Sequence, residues 1–289
     1  MNHTLLNELP KFSPWPHRLL GIELWEQKVK NSIEVTREYE GEKWGPLWER
    51  VRSSGKPVSL DEIEDWLSGG RSDTLCLLHG ELTLMSPGEV FEAQLEIVTQ
   101  TISSFLPMST LVELGAGYGH IILNLARKMD LSNCRLLAGE YTSSGVNLLK
   151  YLSQSENLKV SVGRCDFSKT PITDCNIPGK AVIYTSYAAT YIPEYSMAFI
   201  EEILSWRPKV VVHFEPLFEH CDQSTLLGAM QRRYIEVNGY NRNLLSILRD
   251  GEKKGSIKIC LEQRQVFGNN PFLPFSIIAW YPINGEVTP

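Results

Sequence analysis

From residue 90 onward, apolar runs of strand length alternate with helix-patterned segments, and this alternation limits the chain to few architectures. VFEAQLEIVTQTISSFL places Phe91, Leu95, Val98, Ile102 and Phe105 at helical spacing, so an amphipathic helix is expected there. A strand over 110–114, a glycine turn and a helix from Tyr118 to Lys128 follow. CRLLAGE (134–140) reads as a second strand, VNLLKYLS (146–153) as a helix, and LKVSVGRCDF (158–167) as a third strand. KAVIYTSY (180–187) is a fourth strand, EYSMAFIEEILSW (194–206) an amphipathic helix, and KVVVHFEP (209–216) a near-continuous apolar run of the kind a central parallel strand shows. Such alternation predicts an α/β doubly wound sheet. GSIKICLEQRQVFG (255–268) and PFSIIAWYPI (274–283) have no helix between them, which predicts an antiparallel C-terminal hairpin at the sheet edge.

The first eighty or so residues differ in character. Trp15, Trp25, Trp44, Trp48 and Trp66 are interrupted by Pro, Gly and charged residues, without strand–helix alternation. Ser59 followed by Glu62 is a capping-box signature for a short helix. The expected organisation is an N-terminal, mainly helical extension or lid over 1–88 and a ligand-binding catalytic domain over 89–289.

In an open α/β sheet, ligands settle beyond the carboxyl ends of the strands. Those ends hold Glu113-Leu114-Gly115, Glu140, Asp166-Phe167, Tyr184-Thr185-Ser186 and His213-Phe214-Glu215. In LVELGAGYGH the glycines Gly115, Gly117 and Gly119 let backbone approach a ligand, and the next helix turns its N–H groups toward the same place. A dinucleotide fold uses G-x-G-x-x-G to receive a pyrophosphate, whereas here the turn is G-x-G-x-G preceded by Glu113. An acid at that point favours an ammonium group over a phosphate. Glu140, 21 positions past Gly119, stands where an acid can accept both hydroxyls of a ribose. Asp166 can accept from an adenine amino group, with Phe167 as an apolar contact.

With VELGAGYG at the first strand end, GEY (139–141) at the second and GRCDF (163–167) at the third, the chain resembles the class I S-adenosylmethionine-dependent methyltransferases over roughly residues 90–283. The resemblance implies a seven-stranded Rossmann-like sheet with a reversed last strand and S-adenosylmethionine as cofactor. It also implies that Glu113, Gly115, Ala116, Gly117, Gly119, Glu140, Tyr141, Asp166, Phe167 and Thr185 hold that cofactor. The fourth strand, YTSYAATY, lacks the N/D-P-P-Y signature of enzymes acting on planar amide or base nitrogens, and His120 stands where the helix most often begins. In the resembling family, N-terminal extensions and insertions such as the polar RRYIEVNGYNRN (232–243) commonly build the acceptor pocket, so Trp44 and Trp48 are candidates for an aromatic lid.

For the catalytic residues, His213 lies at the end of the fifth strand with Glu215 on the same face by the period of two. A neutral imidazole there would accept a proton as methyl arrives. Tyr187 is a candidate for the acceptor site, and His120 is a weaker base candidate than His213. No metal is expected: Glu219, His220 and Cys221 lack further ligands at a suitable spacing. Cys76, Cys134, Cys165, Cys175, Cys221 and Cys260 form no C-x-x-C pair, which fits free thiols in a reducing cytoplasm.

The formal net charge of -6 and the absence of Lys/Arg blocks disfavour nucleic acid as a partner. No apolar run is long enough to span a bilayer and the N-terminus lacks a signal-peptide pattern, so neither membrane nor export is expected. The expected activity is O- or N-methylation of a polar small molecule or peptide, as in natural-product biosynthesis, by a cytoplasmic monomer or homodimer. Methylation of protein or RNA, NAD(P)-dependent oxidoreduction, and cofactor binding without catalysis stand as alternatives.

Overall fold

Continuous burial along both faces of the central strands sets the architecture, in a computed structural model that describes residues 2–3, 5–25 and 31–283. The last six residues of the expected 89–289 domain lie outside those described. In chain order the strands are β1 (Asn2–His3), β2 (Thr74–Leu78), β3 (Glu81–Met85), β4 (Thr110–Leu114), β5 (Arg135–Glu140), β6 (Val160–Arg164), β7 (Val182–Ser186), β8 (Val210–Glu215), β9 (Ile257–Gly268) and β10 (Phe275–Pro282). The α-helices are α1 (Leu9–Phe12), α2 (Trp15–Leu19), α3 (Ser32–Thr36), α4 (Gly45–Ser53), α5 (Leu60–Ser68), α6 (Pro87–Ser103), α7 (His120–Lys128), α8 (Ser143–Ser155), α9 (Met197–Ser205), α10 (Leu226–Asn238) and α11 (Leu244–Lys253).

All ten strands form one sheet in the order β1-β3-β2-β9-β10-β8-β7-β4-β5-β6. Strands β6, β5, β4, β7 and β8 pair in parallel, and β10 runs antiparallel between β8 and β9. The chain winds outward through β4, β5 and β6, then returns to the other side of β4 as β7. That reversal opens a crevice at the carboxyl ends of β4 and β7. Strands β4 to β10 thus make the seven-stranded sheet with a reversed last strand that the resemblance implies.

Every residue of β4 and of β8 is buried, as a parallel strand covered on both faces requires. One face packs against α4 to α8 through Leu47, Ile63, Val98, Ile122 and Leu149. The other packs against α9 and α11 through Phe199, Ile203, Leu245 and Leu248. The Ser59/Glu62 capping box is formed in both directions at the start of α5. A second one, Ser86 with Glu89, opens α6. Helix α6 buries Val90, Leu95, Val98 and Ile102, while Phe105 lies beyond its end.

Two features depart from the expected outline. TLCLLHGELTLM, in the N-terminal segment, forms the β2–β3 hairpin, with His79 and Gly80 both at positive φ in its two-residue turn. β2 then pairs with β9 and extends the seven strands to ten, so the C-terminal hairpin lies inside the sheet and not at its edge as expected. The second departure follows α3, where Arg37–Trp44 is a π-helix that runs directly into α4. Its i→i+5 repeat brings residue 45 over the Glu40 carbonyl oxygen so closely that a Cβ there would overlap it, and the residue is Gly45.

Candidate functional site

Beyond the carboxyl ends of β4 to β7 lies a cavity of about 620 Å³. Glu113, Glu140 and Asp166, from three successive strand ends, all line it, and no Lys or Arg does among the described residues. Its walls are aromatic: Tyr39, Trp44, Tyr118, Phe167, Tyr187 and Tyr191.

The turn after β4 shapes one wall. The N–H groups of Gly115 and Ala116 both donate to the Gly139 carbonyl, at 2.8 and 3.0 Å, docking the turn on the end of β5. Gly115, Gly117 and Gly119 all have positive φ. At Gly115 a Cβ would also overlap the methyl of Ala188, so close approach as well as conformation demands glycine. Gly119 occupies the N-cap of α7, which begins at His120, two residues later than the expected start at Tyr118, because a left-handed residue cannot lie inside the helix.

Glu113 is buried, and its Oε2 accepts from the Ile122 N–H at 3.1 Å and the Tyr184 hydroxyl at 3.0 Å. Burial pushes its carboxyl up to about 8, despite these donors. Glu140 Oε2 accepts from the Gly117 N–H at 2.9 Å, and its Oε1 from the Thr142 N–H and hydroxyl at 2.9 and 2.7 Å. One carboxylate therefore ties the glycine turn to the start of α8. Asp166 lies two residues past the end of β6. Burial alone would raise its carboxyl, but bonds from Ser168 and the Lys169 ammonium lower it. Ala116, Gly117, Tyr141 and Phe167 also line the cavity. Gly119 and Thr185 do not. Thr185 instead turns its hydroxyl to His213 Nδ1, at 3.0 Å.

His213 requires a correction. It is fully buried, outside the cavity, among residues that pack on α9. Its Nε2 accepts from Trp280 Nε1–H at 3.2 Å, so Nδ1 carries the proton and donates to Thr185. Burial depresses its pKa to about 3, leaving a neutral ring with both nitrogens engaged. The period of two does place Glu215 on the same face, and Glu215 is likewise no proton acceptor for a ligand. Its carboxylate accepts from the N–H groups of Ala188, Ala189 and Thr190 at 3.0–3.1 Å, which holds the loop after β7. Burial raises its carboxyl to about 7 against those bonds. Tyr187 does line the cavity, but its hydroxyl donates away from it, to the Leu273 carbonyl at 3.1 Å.

Sequence reasoning missed most of the roof. The π-helix hangs Tyr39 and Trp44 over the cavity, and the Tyr39 and Tyr191 hydroxyls hydrogen-bond across it. Glu40 caps α8, accepting from the Ser144 N–H at 3.1 Å and its hydroxyl at 2.6 Å. Trp44 meets Tyr118 edge-on with centroids 5.2 Å apart, whereas Trp48 packs on Tyr151 outside the cavity. Of the two lid candidates that the resemblance suggested, Trp44 lines the cavity and Trp48 does not. His220 donates or accepts within a buried network with Ser276 and Glu262, at 2.7 and 3.0 Å. Among the described residues no three His, Cys, Asp or Glu side chains cluster as a metal would need, and no helix is long and apolar enough to cross a membrane.

No protein-family model matches the chain, and no curated protein matches it. Solved structures do. A "SAM dependent methyltransferase from Aquifex aeolicus" is 14% identical, with 66% of this chain and 90% of that one covered and a TM-score of 0.45. Magnesium protoporphyrin IX methyltransferase from Synechocystis PCC 6803, solved with bound SAM, is 12% identical over 89% of this chain and 99% of its own, at a TM-score of 0.48. The plantazolicin methyltransferase BpumL, in complex with a monoazolic desmethylPZN analog and SAH, is 10% identical over 94% of this chain and all of its own, also at 0.48.

Proposed function

We propose that the chain is an S-adenosylmethionine-dependent methyltransferase that acts on a small molecule or peptide, at oxygen or nitrogen. The observation that carries this reading is the acid lining of the cavity: carboxyl groups from three strand ends, Glu113, Glu140 and Asp166, converge on one space with no cationic side chain in its wall. A pyrophosphate would meet repulsion there, which disfavours the NAD(P) alternative. A ligand with an ammonium group, a diol and an amino-purine has a partner for each. Glu113 would take the ammonium end, Glu140 the ribose hydroxyls and Asp166 the adenine amino group, with Phe167 against the ring. The glycine turn would present bare backbone to the ligand.

S-adenosylmethionine supplies an activated methyl group on a sulfonium. The protein's own work is then to bind, orient and exclude water. Glu215 holds the loop bearing Ala188 to Thr190 against the glycine turn, and the π-helix roofs the space with Tyr39 and Trp44. A roof of this kind keeps water from the transfer. The segment 1–88, which supplies it, serves as a lid on the domain that follows.

Calorimetry with S-adenosylmethionine, S-adenosylhomocysteine and NADH tests the reading. The first two are expected to bind and the third not; preference for the dinucleotide overturns it. Glu140→Ala is expected to weaken S-adenosylhomocysteine binding at least tenfold, the equivalent of about 1.4 kcal/mol. Undiminished affinity would remove the ribose role from Glu140.

A further inference from the structure

The carboxyl groups assigned to a cofactor stand at or just past the ends of β4, β5 and β6, on one side of the crevice. β7 lies on the other side of β4, and the loop that follows it brings Tyr187 and Tyr191 into the cavity wall. The π-helix adds Tyr39 and Trp44, and the glycine turn adds Tyr118. Four of these rings form an unbroken run. Their centroids are 5.2 Å apart from Tyr118 to Trp44, 5.8 Å from Trp44 to Tyr39 and 5.5 Å from Tyr39 to Tyr191. The Trp44 indole rests on the glycine turn, with Cζ2 3.2 Å from where a Cβ on Gly117 would stand.

The polar atoms of this wall are turned away from a ligand or engaged with one another. The Tyr39 and Tyr191 hydroxyls bond to each other, and the Tyr187 hydroxyl donates to the Leu273 carbonyl at 3.1 Å. The Tyr118 hydroxyl is buried, so what Tyr118 shows the cavity is not its oxygen. His120 turns Nδ1 to Glu64 Oε1 at 2.7 Å, and its Nε2 is buried as well. Gln94 Nε2 donates to Ser186 Oγ at 3.2 Å. Tyr39, Trp44, Tyr187 and Tyr191 nevertheless keep part of their surface accessible, and most of the cavity wall is apolar. Carbon is what this half of the cavity presents.

A body rich in hydroxyls would lose water here and find few partners, which is unfavourable. A flat ring loses little water and gains offset or edge-on contact with the rings, a gain that a saturated body of the same size does not share. Resting on the methyl-transfer reading above, we propose that the acceptor carries a flat aromatic ring, seated against the run Tyr118–Trp44–Tyr39–Tyr191 by ring contact and not by hydrogen bonds. Trp44 is then a specificity-determining residue. It belongs to the roof and touches the glycine turn, so it selects for flatness next to where the cofactor lies.

The test uses the full chain saturated with S-adenosylhomocysteine, which keeps a probe from the adenine place beside Phe167. Naphthalen-2-ylmethanol and its decahydro counterpart carry the same hydroxyl on the same fused frame and differ in flatness and aromaticity. Titration calorimetry is expected to show the aromatic alcohol binding about threefold to tenfold more tightly, the worth of aromatic ring contact. myo-Inositol is expected not to bind. Equal or tighter binding of the saturated alcohol, failure of the aromatic one to bind, or binding of inositol overturns the proposal, and none of these readings needs a substitution. Trp44→Leu keeps an apolar side chain and removes the ring, and is expected to reduce the preference; an undiminished preference also overturns the proposal. The preceding titration with S-adenosylhomocysteine separates the two claims. No binding there defeats the cofactor reading, whereas intact binding with no preference for the flat probe defeats the acceptor class alone.

Discussion

Glu113→Gln removes a titrating group without removing its place in the structure. The amide oxygen can still accept from Ile122 N–H and from the Tyr184 hydroxyl. In the wild type, burial raises the Glu113 carboxyl from 4.5 to about 8. Between those values the folded protein holds a proton that the unfolded chain has released. The corresponding stability is complete below about 4.5 and is lost as the pH rises through about 8. Each pH unit in that window is worth at most about 1.4 kcal/mol, which sets a ceiling of about 4 kcal/mol between pH 5 and 8. Glutamine does not titrate, so the variant is expected to gain on the wild type progressively across this range and to hold its advantage above it. Glu215, raised to about 7, has the same sign but is present in both proteins and cancels in the difference. Urea denaturation of both proteins at intervals from pH 5 to 9 measures the effect. A stability difference that stays constant with pH refutes the reasoning. The same proton gives a binding signature: at pH 7 an ammonium ligand must displace it, so S-adenosylhomocysteine binding is expected to release a proton in the wild type and none in Glu113→Gln. Heats compared in buffers of different ionisation enthalpy detect that release.

Three further outcomes follow from the packing. Glu215→Ala strands the N–H groups of Ala188, Ala189 and Thr190, and is expected to cost about 3 kcal/mol or more in urea denaturation; a loss below about 1 kcal/mol would mean the loop is held by something else. His213→Ala is expected to lower stability by about 2–4 kcal/mol through its cavity and the stranded Trp280 indole N–H, while S-adenosylhomocysteine affinity stays near that of the wild type. A selective loss of affinity would return His213 to the site. Tyr39→Phe breaks the hydroxyl pair with Tyr191 and is expected to lower the local opening energy of 37–44 by about 1 kcal/mol, read as faster amide exchange there than in the wild type. Unchanged exchange would show that the pair does not hold the roof.

What was legible in the sequence was whatever backbone geometry dictates. The glycines after β4, the acids closing β4 and β5 and the reversed C-terminal strand all follow from chain direction and close approach, which leave marks in residue type and order. His213 was misplaced for a definite reason. A period of two tells which residues share a strand face, but not which face meets solvent space and which meets a helix. Here that face lies under α9, and Trp280 from the hairpin reaches the imidazole. The β2–β3 hairpin escaped notice because its turn is His79-Gly80 and not the Asn-Gly that usually marks one. The roof over the cavity, apart from Trp44, escaped notice for a deeper reason. REYEGEKW has no stripe at 3.6-residue spacing, because its backbone does not repeat at 3.6, and Glu40, Tyr39 and Trp44 dock individually on Ser144, Tyr191 and the glycine turn.

That π-helix also acts as a phase adjuster between the two helices it joins. An α-helix advances 100° per residue, so the wider turn of 37–44 makes α4 begin at a different rotation from the one α3 would have projected forward. Leu47 and Val51 then meet the core, while Tyr39 and Trp44, only a turn or two earlier, meet the ligand space. Rewinding this stretch to the ordinary repeat would force a choice: keep the α4 contacts and swing Tyr39 outward, or keep the roof and expose Leu47. The chain meets both demands with one change of helical repeat, so length in this segment is as constrained as composition.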